Sequence, residues 1–118
     1  MIAPAQDEAA RRELARGTVE LAILALLSRA PTYGYDLLST LNEITGGTPE
    51  VKEGTVYPIL HRLEDSGFVS ASWEAQGRNA PRKYYAITKD GKARLSSLRT
   101  EWDRLVGGMS RLLDGGKR

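Results

Sequence analysis

Between Val19 and Leu27 the chain reads Val-Glu-Leu-Ala-Ile-Leu-Ala-Leu-Leu, an apolar run broken by a single charge. Wound into a helix, this run has almost no polar face, and such a helix must be covered on several sides. It therefore belongs at the centre of a small helical body. With 118 residues the chain can bury about two-thirds of the surface it exposes when unfolded, which suffices for one core and not for two. A separate catalytic domain is excluded. The helical pattern extends back to Glu8 and on to Ser28, and we read it as one long helix. Gly17-Thr18 interrupts it, as a mild kink or as a second start capped by Thr18.

Ala30-Pro31 ends this element, because the residue before a proline is biased away from helical geometry. Thr32 then caps a second helix that runs to about Thr45, with Tyr33, Leu37, Leu38, Leu41 and Ile44 as its buried stripe. Gly46-Gly47 and Thr48-Pro49 stop it. A third helix spans about Glu53 to Ser66, turning Val56, Ile59, Leu60 and Leu63 inward and ending at Gly67. Pro58 lies inside it and removes the bond to the carbonyl of Gly54, whose flexibility absorbs the distortion.

Phe68 to Glu74 alternates Val69, Ala71 and Trp73 with Ser70, Ser72 and Glu74, and Arg82 to Thr88 carries Tyr84, Tyr85 and Ile87. These are two strands of a hairpin, joined through Ala75 to Pro81 by a connection longer than a tight turn, which projects as a loop. Thr88 caps a last helix with Asp90 in its first turn. Along that helix Leu95, Leu98, Trp102, Leu105, Met109 and Leu112 alternate spacings of three and four, a heptad seam. The expected organisation is a winged helix-turn-helix unit over 8–88, a C-terminal dimerisation helix over 89–113 and a frayed tail over 114–118: mainly α with a small β-hairpin, an α+β fold.

Order and charge together point to DNA. The third helix, with its inward face centred between Val56 and Leu60, leaves Gly54, Pro58 and His61 opposite, flanked by Thr55, Tyr57 and Arg62. Small residues there let a backbone approach a groove closely, although the same face also fits an ordinary solvated helix. The chain as a whole is nearly neutral, with a net charge of +2. Yet Arg78, Arg82, Lys83, Lys89, Lys92 and Arg94 fall in one stretch against the single acid Asp90. Such clustering on a hairpin suits phosphate contacts. The bland alternative is lysines guarding an exposed strand edge. Adjacent strand residues face opposite ways, so at most one of Tyr84 and Tyr85 faces DNA while the other packs. The candidate DNA-binding residues are Tyr33, Thr55, Tyr57, Pro58, His61, Arg62, Arg78, Arg82 and Lys83.

Enzyme chemistry finds no support. The chain has no cysteine and one histidine, which argues against a metal site, and no cofactor is expected. His61 has no serine or carboxylate placed by motif to work with it, and the glycines stand at turns and helix ends rather than in a phosphate-cradling loop. Neither a signal peptide nor an apolar run long enough to span a bilayer is present, so a cytoplasmic protein with no membrane partner is expected.

Four stretches resemble the PadR-type transcriptional regulators: RGTVELAILALL from Arg16, YGYDLL from Tyr33, EGTVYPILHRLEDSGFV from Glu53, and PRKYYAIT from Pro81 followed by Gly91. The resemblance covers most of the chain. It implies a winged helix-turn-helix with a C-terminal helix that forms a homodimer, and repression of transcription until a small effector binds. A single helix after Thr88 is similar to the short subfamily. Two positions depart from the family pattern: Lys52, where serine or asparagine often caps the helix, and Ala80, where glycine is frequent before the proline.

The expected function is a dimeric, sequence-specific repressor acting on double-stranded DNA at a palindromic operator with half-sites about one turn apart. The rival is a winged-helix protein-interaction module that has lost DNA binding. Trp102 sits mid-seam, where a flat side chain beside a dimer axis meets its symmetry mate or leaves a slot for a planar aromatic effector. Glu101-Trp102 resembles family members in which a tryptophan lines such a cavity. Leu98 and Met109 would line it with Trp102; the alternative is that Trp102 simply fills the interface with Leu98, Leu105 and Met109.

Overall fold

The computed structural model describes residues 7–49 and 51–115. Its centre is the apolar run. Ile23, Leu24 and Leu27 of helix α2 (Val19–Arg29) are buried, and they meet Leu37 and Leu41 of α3 (Gly34–Thr45) and Val56, Leu60 and Leu63 of α4 (Glu53–Asp65). The helix preceding them does not run through. α1 (Glu8–Ala15) ends before Gly17, whose φ of +89° places it in the left-handed region. The single long helix is thus two, because glycine takes this conformation without the penalty a Cβ would bring. Thr18 occupies the N-cap position of α2 without capping through its side chain; its hydroxyl instead donates to the Ala15 carbonyl at 2.6 Å.

The second departure follows Pro31. Thr32 and Tyr33 form a short strand, β1, instead of beginning α3, and Gly34 opens that helix with no side-chain cap at Tyr33. Ile44, expected in the buried stripe, is 49% exposed near the end of α3. The link to α4 is held by one side chain. Asn42 donates Nδ2 to the Val51 carbonyl and accepts the Val51 amide on Oδ1, both at 3.1 Å. Both backbone groups of a buried residue are thereby satisfied, and α4 begins at a fixed place. Lys52 is its N-cap, without a side-chain cap bond, and the helix continues unbroken past Pro58.

β2 (Val69–Gln76) and β3 (Asn79–Ile87) pair antiparallel, and β1 pairs with the other edge of β3, giving the order β1-β3-β2. The connection is shorter than expected. Gln76 pairs with Asn79, so the turn consists of Gly77 and Arg78 alone, with an irregularity in register between Glu74 and Gln76. Gly77 has φ +63° and Arg78 has no positive φ, the arrangement of a two-residue type II′ turn. The projecting element is a paired ribbon rather than a loop.

α5 (Lys89–Leu113) starts against the end of α4. Thr88 accepts the Gly91 amide at 3.0 Å, donates its hydroxyl to the Gly67 carbonyl at 2.7 Å and its amide to the Phe68 carbonyl at 3.1 Å. Gly91 is required by this packing: a Cβ there would run into the Phe68 carbonyl oxygen and lie 2.7 Å from Ile87 Cγ1. The described part of the C-terminal tail is a turn at Asp114 and Gly115; residues 116–118, included in the expected frayed tail, lie outside the described residues, as do residues 1–6. No helix among the described residues is long and apolar enough to cross a membrane.

Candidate nucleic-acid interface

On α4, the side turned from the core presents Gly54, Thr55, Pro58, His61 and Arg62 to solvent. Tyr57 is half-buried, donates its hydroxyl to the Gly34 carbonyl at 3.4 Å, and has its phenol pushed above its ordinary value, first by burial and then by the Glu53 carboxylate. It therefore braces α4 on the start of α3 and offers only part of its ring outward. Arg62 is engaged elsewhere. Its Nη2 lies 3.3 Å from Glu20 of α2, whose other carboxylate oxygen takes Arg94 Nε at 2.8 Å. A largely buried carboxylate shared by two arginines draws Arg62 toward α2 and α5, away from Thr55 and Pro58.

The sheet divides the expected basic contacts between its faces. Arg82 and Lys83 are neighbours on β3, and alternation sends them opposite ways. Arg82 lies over the rings of Tyr35 and Tyr33, 4.6 and 5.6 Å from their centroids, an arrangement that holds a guanidinium flat while leaving its edge able to donate. Tyr33 is set in place by its own contacts. Its ring is 4.7 Å from that of Tyr84, and its hydroxyl donates to Glu74 Oε1 at 2.7 Å. That hydrogen bond, with some burial, raises the Tyr33 phenol above its ordinary value.

Lys83 faces α4. Its Nζ lies 3.3 Å from Glu64 and over the rings of Tyr85 and Trp73 at 5.4 and 5.9 Å. Burial is the largest single influence and works against its charge, but the hydrogen bonds and charges of Glu64 and Tyr85 together outweigh it and hold the ammonium above its usual range. Lys83 thus ties the ribbon to α4, while Tyr85 joins the core. Arg78 occupies the tip of the ribbon. The structure so brings Tyr33 and Arg82 together on one face, carries Arg78 at the far end, and leaves Thr55, Pro58 and His61 on α4.

Two aromatic residues that the sequence did not single out for this site lie within it. Tyr35 supports Arg82, and Trp73 is 67% exposed. With Tyr57, His61 and Pro81 they line a shallow cleft of about 400 Å³ between α4 and the ribbon. The strand alternation marked Trp73 as sharing a face with Ala71 and Val69, but a strand that projects beyond the helices leaves its outer residues uncovered.

The seam on α5 also splits. Leu95 and Leu98 pack against the core, whereas Trp102 is 40% and Leu112 71% exposed, with Leu105, Val106, Met109 and Leu113 exposed between and beyond them. Leu98 therefore packs on the core of its own chain, while Trp102 and Met109, grouped with it on the same face, lie further along the helix and stay exposed. Among the described residues no cluster of three histidine, cysteine, aspartate or glutamate side chains is placed to hold a metal ion.

Residues 23–97 match the family model described as the transcriptional regulator PadR-like family. A solved PadR family transcriptional regulator from Eggerthella lenta superposes with a TM-score of 0.80 at 34% identity, covering 92% of each chain. A protein of Lysinibacillus sphaericus is 35% identical over 92 residues, 78% of this chain and 84% of that one. The negative transcriptional regulator PadR of Bacillus subtilis is 35% identical over 77 residues, which are 65% of this chain and 42% of the larger relative.

Proposed function

The chain belongs to the PadR-like family of transcriptional regulators, which are DNA-binding proteins and not enzymes, and on that premise we propose that it is a homodimeric repressor released from a palindromic operator by a small planar effector. The observation that carries this reading is the apolar stripe on α5 from Trp102 to Leu113, which has no cover among the described residues. The chain is also extended, 58 × 34 × 20 Å with a radius of gyration of 16.8 Å, against about 13.5 Å for a compact chain of this length. A twofold pairing of α5 covers the stripe and sets two copies of α4 against successive turns of DNA, about 34–36 Å apart.

In this arrangement Thr55, Pro58 and His61 face the major groove, with Tyr57 at their margin. Arg78 at the ribbon tip and Arg82 on its tyrosine platform take phosphates, with Tyr33 supporting Arg82. Arg62 and Lys83, both ion-paired within the chain, act chiefly by holding α4 and the ribbon in register. Trp102 and Met109 lie where two copies of α5 meet and line the effector slot, with Leu98 as its floor on the core side. Repression is supported by the Bacillus subtilis relative, which is described as a negative regulator.

The test is a salt titration of binding to an operator selected from random duplexes. Arg78→Ala with Arg82→Ala should weaken binding to every sequence and reduce the slope of log affinity against log salt by about two units, roughly one per lost phosphate. Thr55→Val should shift base preference and leave that slope alone. Binding and slope unchanged in the double variant would overturn the wing assignment. A protein-interaction module would show no comparable salt dependence on DNA.

A further inference from the structure

α1 buries no residue, and its Leu14 is 81% exposed. An isolated helix needs about 12–15 residues to be even marginal in water, so these eight must be held through surface contacts. What α1 offers there is sorted charge. Arg11, Arg12 and Arg16 line one wall of a cleft of about 290 Å³, and Lys52 and Thr55 at the start of α4 line the other, with Glu8 as the acid among the lining residues. Two further acids near α1, among the described residues, are spent locally. Asp7 accepts the Ala10 amide at 3.0 Å, and Glu13 pairs with Arg16 at 3.1 Å.

We infer that this cleft holds a backbone phosphate of the duplex that α4 reads, making α1 an anchor on DNA additional to the recognition helix and the ribbon. The inference rests on the DNA-binding reading above and extends it to a part of the chain that the reading does not use. Thr55 belongs to both the groove-facing side of α4 and the wall of the cleft, so the two surfaces are continuous. Arg12 and Lys52, on facing walls of the cleft, complement a polyanion, and arginine suits phosphate because its planar fork donates two parallel hydrogen bonds.

The experiment uses the full chain carrying Arg12→Gln and Lys52→Gln, two exposed positions, and the same selected operator. The slope of log affinity against log salt should become shallower by about one unit, so that affinity falls about fourfold less between about 50 and 200 mM salt. Base preference should stay unchanged, and the charge-preserving pair Arg12→Lys and Lys52→Arg should restore the slope. Absence of salt-dependent binding by the unaltered chain would defeat the DNA reading itself. Normal binding by that chain, with the same slope and affinity in the Gln variant, would defeat this inference alone. Thermal protection by millimolar inorganic phosphate that the Gln variant loses while its DNA slope stays intact would assign the cleft to a small soluble anion, and overturn it equally.

Discussion

The two halves of α5 carry one continuous apolar spacing and meet opposite fates. In the first half Gly91 lies against the Phe68 carbonyl and Leu95 and Leu98 pack on the core; in the second, from Trp102 to Leu113, the large apolar side chains face solvent. A spacing of three and four residues states that a helix has an apolar face and is silent on what covers it. The first half is covered because Thr88 pins the helix start to the end of α4, bringing its first turns over Phe68 and Ile87. A straight helix of 25 residues extends about 37 Å, well past the body that α2, α3 and α4 provide. The remainder emerges without a partner among the described residues of its own chain.

The sharpest way to break this contrast is to make the packed half fail. Gly91→Ala introduces a Cβ into the Phe68 carbonyl, and since backbone must move, the cost should reach about 3 kcal/mol or more, lowering the melting temperature by at least about 10 °C. A glycine-to-alanine change inside a helix ordinarily stabilises, so the sign alone is diagnostic in a calorimetric scan. Leu105→Glu with Met109→Glu addresses the exposed half. It should leave the core of the single chain intact and weaken the proposed dimer at least about 100-fold, about 2.7 kcal/mol, because two carboxylates from each chain would enter an apolar interface. Light scattering across a dilution series should read this as a single-chain mass where the unaltered protein, on the proposed pairing, is expected to give twice that. The smallest effect is expected at Gly107→Ala. A Cβ there meets nothing nearer than Arg111 Nη1 at 3.6 Å, so the change should stabilise by about 0.5–1 kcal/mol through helix propensity, seen as a rise of a few degrees in the same scan.

Several parts of this molecule were legible before the structure. The apolar run of α2 declared the core, the inward side of α4 was right at Val56, Leu60 and Leu63, and the Thr88 cap and the start of α5 followed from local chemistry. What escaped was decided by backbone detail or by distance along the chain. Gly17 fits both a kink and a break, and only its left-handed φ selects the break. β1 is two residues long and exists because β3 is there to receive it, 50 residues later. For the site, alternation already separates Arg82 from Lys83, as it separates Tyr84 from Tyr85. The partners Glu64 and Glu20 do not announce themselves: Lys83 lies 19 residues from the first, and Arg62 and Arg94 lie 42 and 74 from the second. A cation's availability to DNA depends on such pairings, which local sequence does not contain.

The pairing of β1 with β3 bears on how the molecule assembles. The β2–β3 ribbon turns on two residues and can form from local contacts alone. Matching Thr32 to Tyr85 and Tyr33 to Tyr84 instead closes a chain segment of about 50 residues, whose entropic cost is met only when the enclosed helices are themselves in place. That segment contains α3, α4 and β2. The helix proposed to read the groove and the ribbon beside it are consequently enclosed in one cooperative folding unit. During synthesis, the reading head is completed only after β3 has been made, so chains truncated before Tyr84 lack the last link that sets helix and ribbon at their working angle.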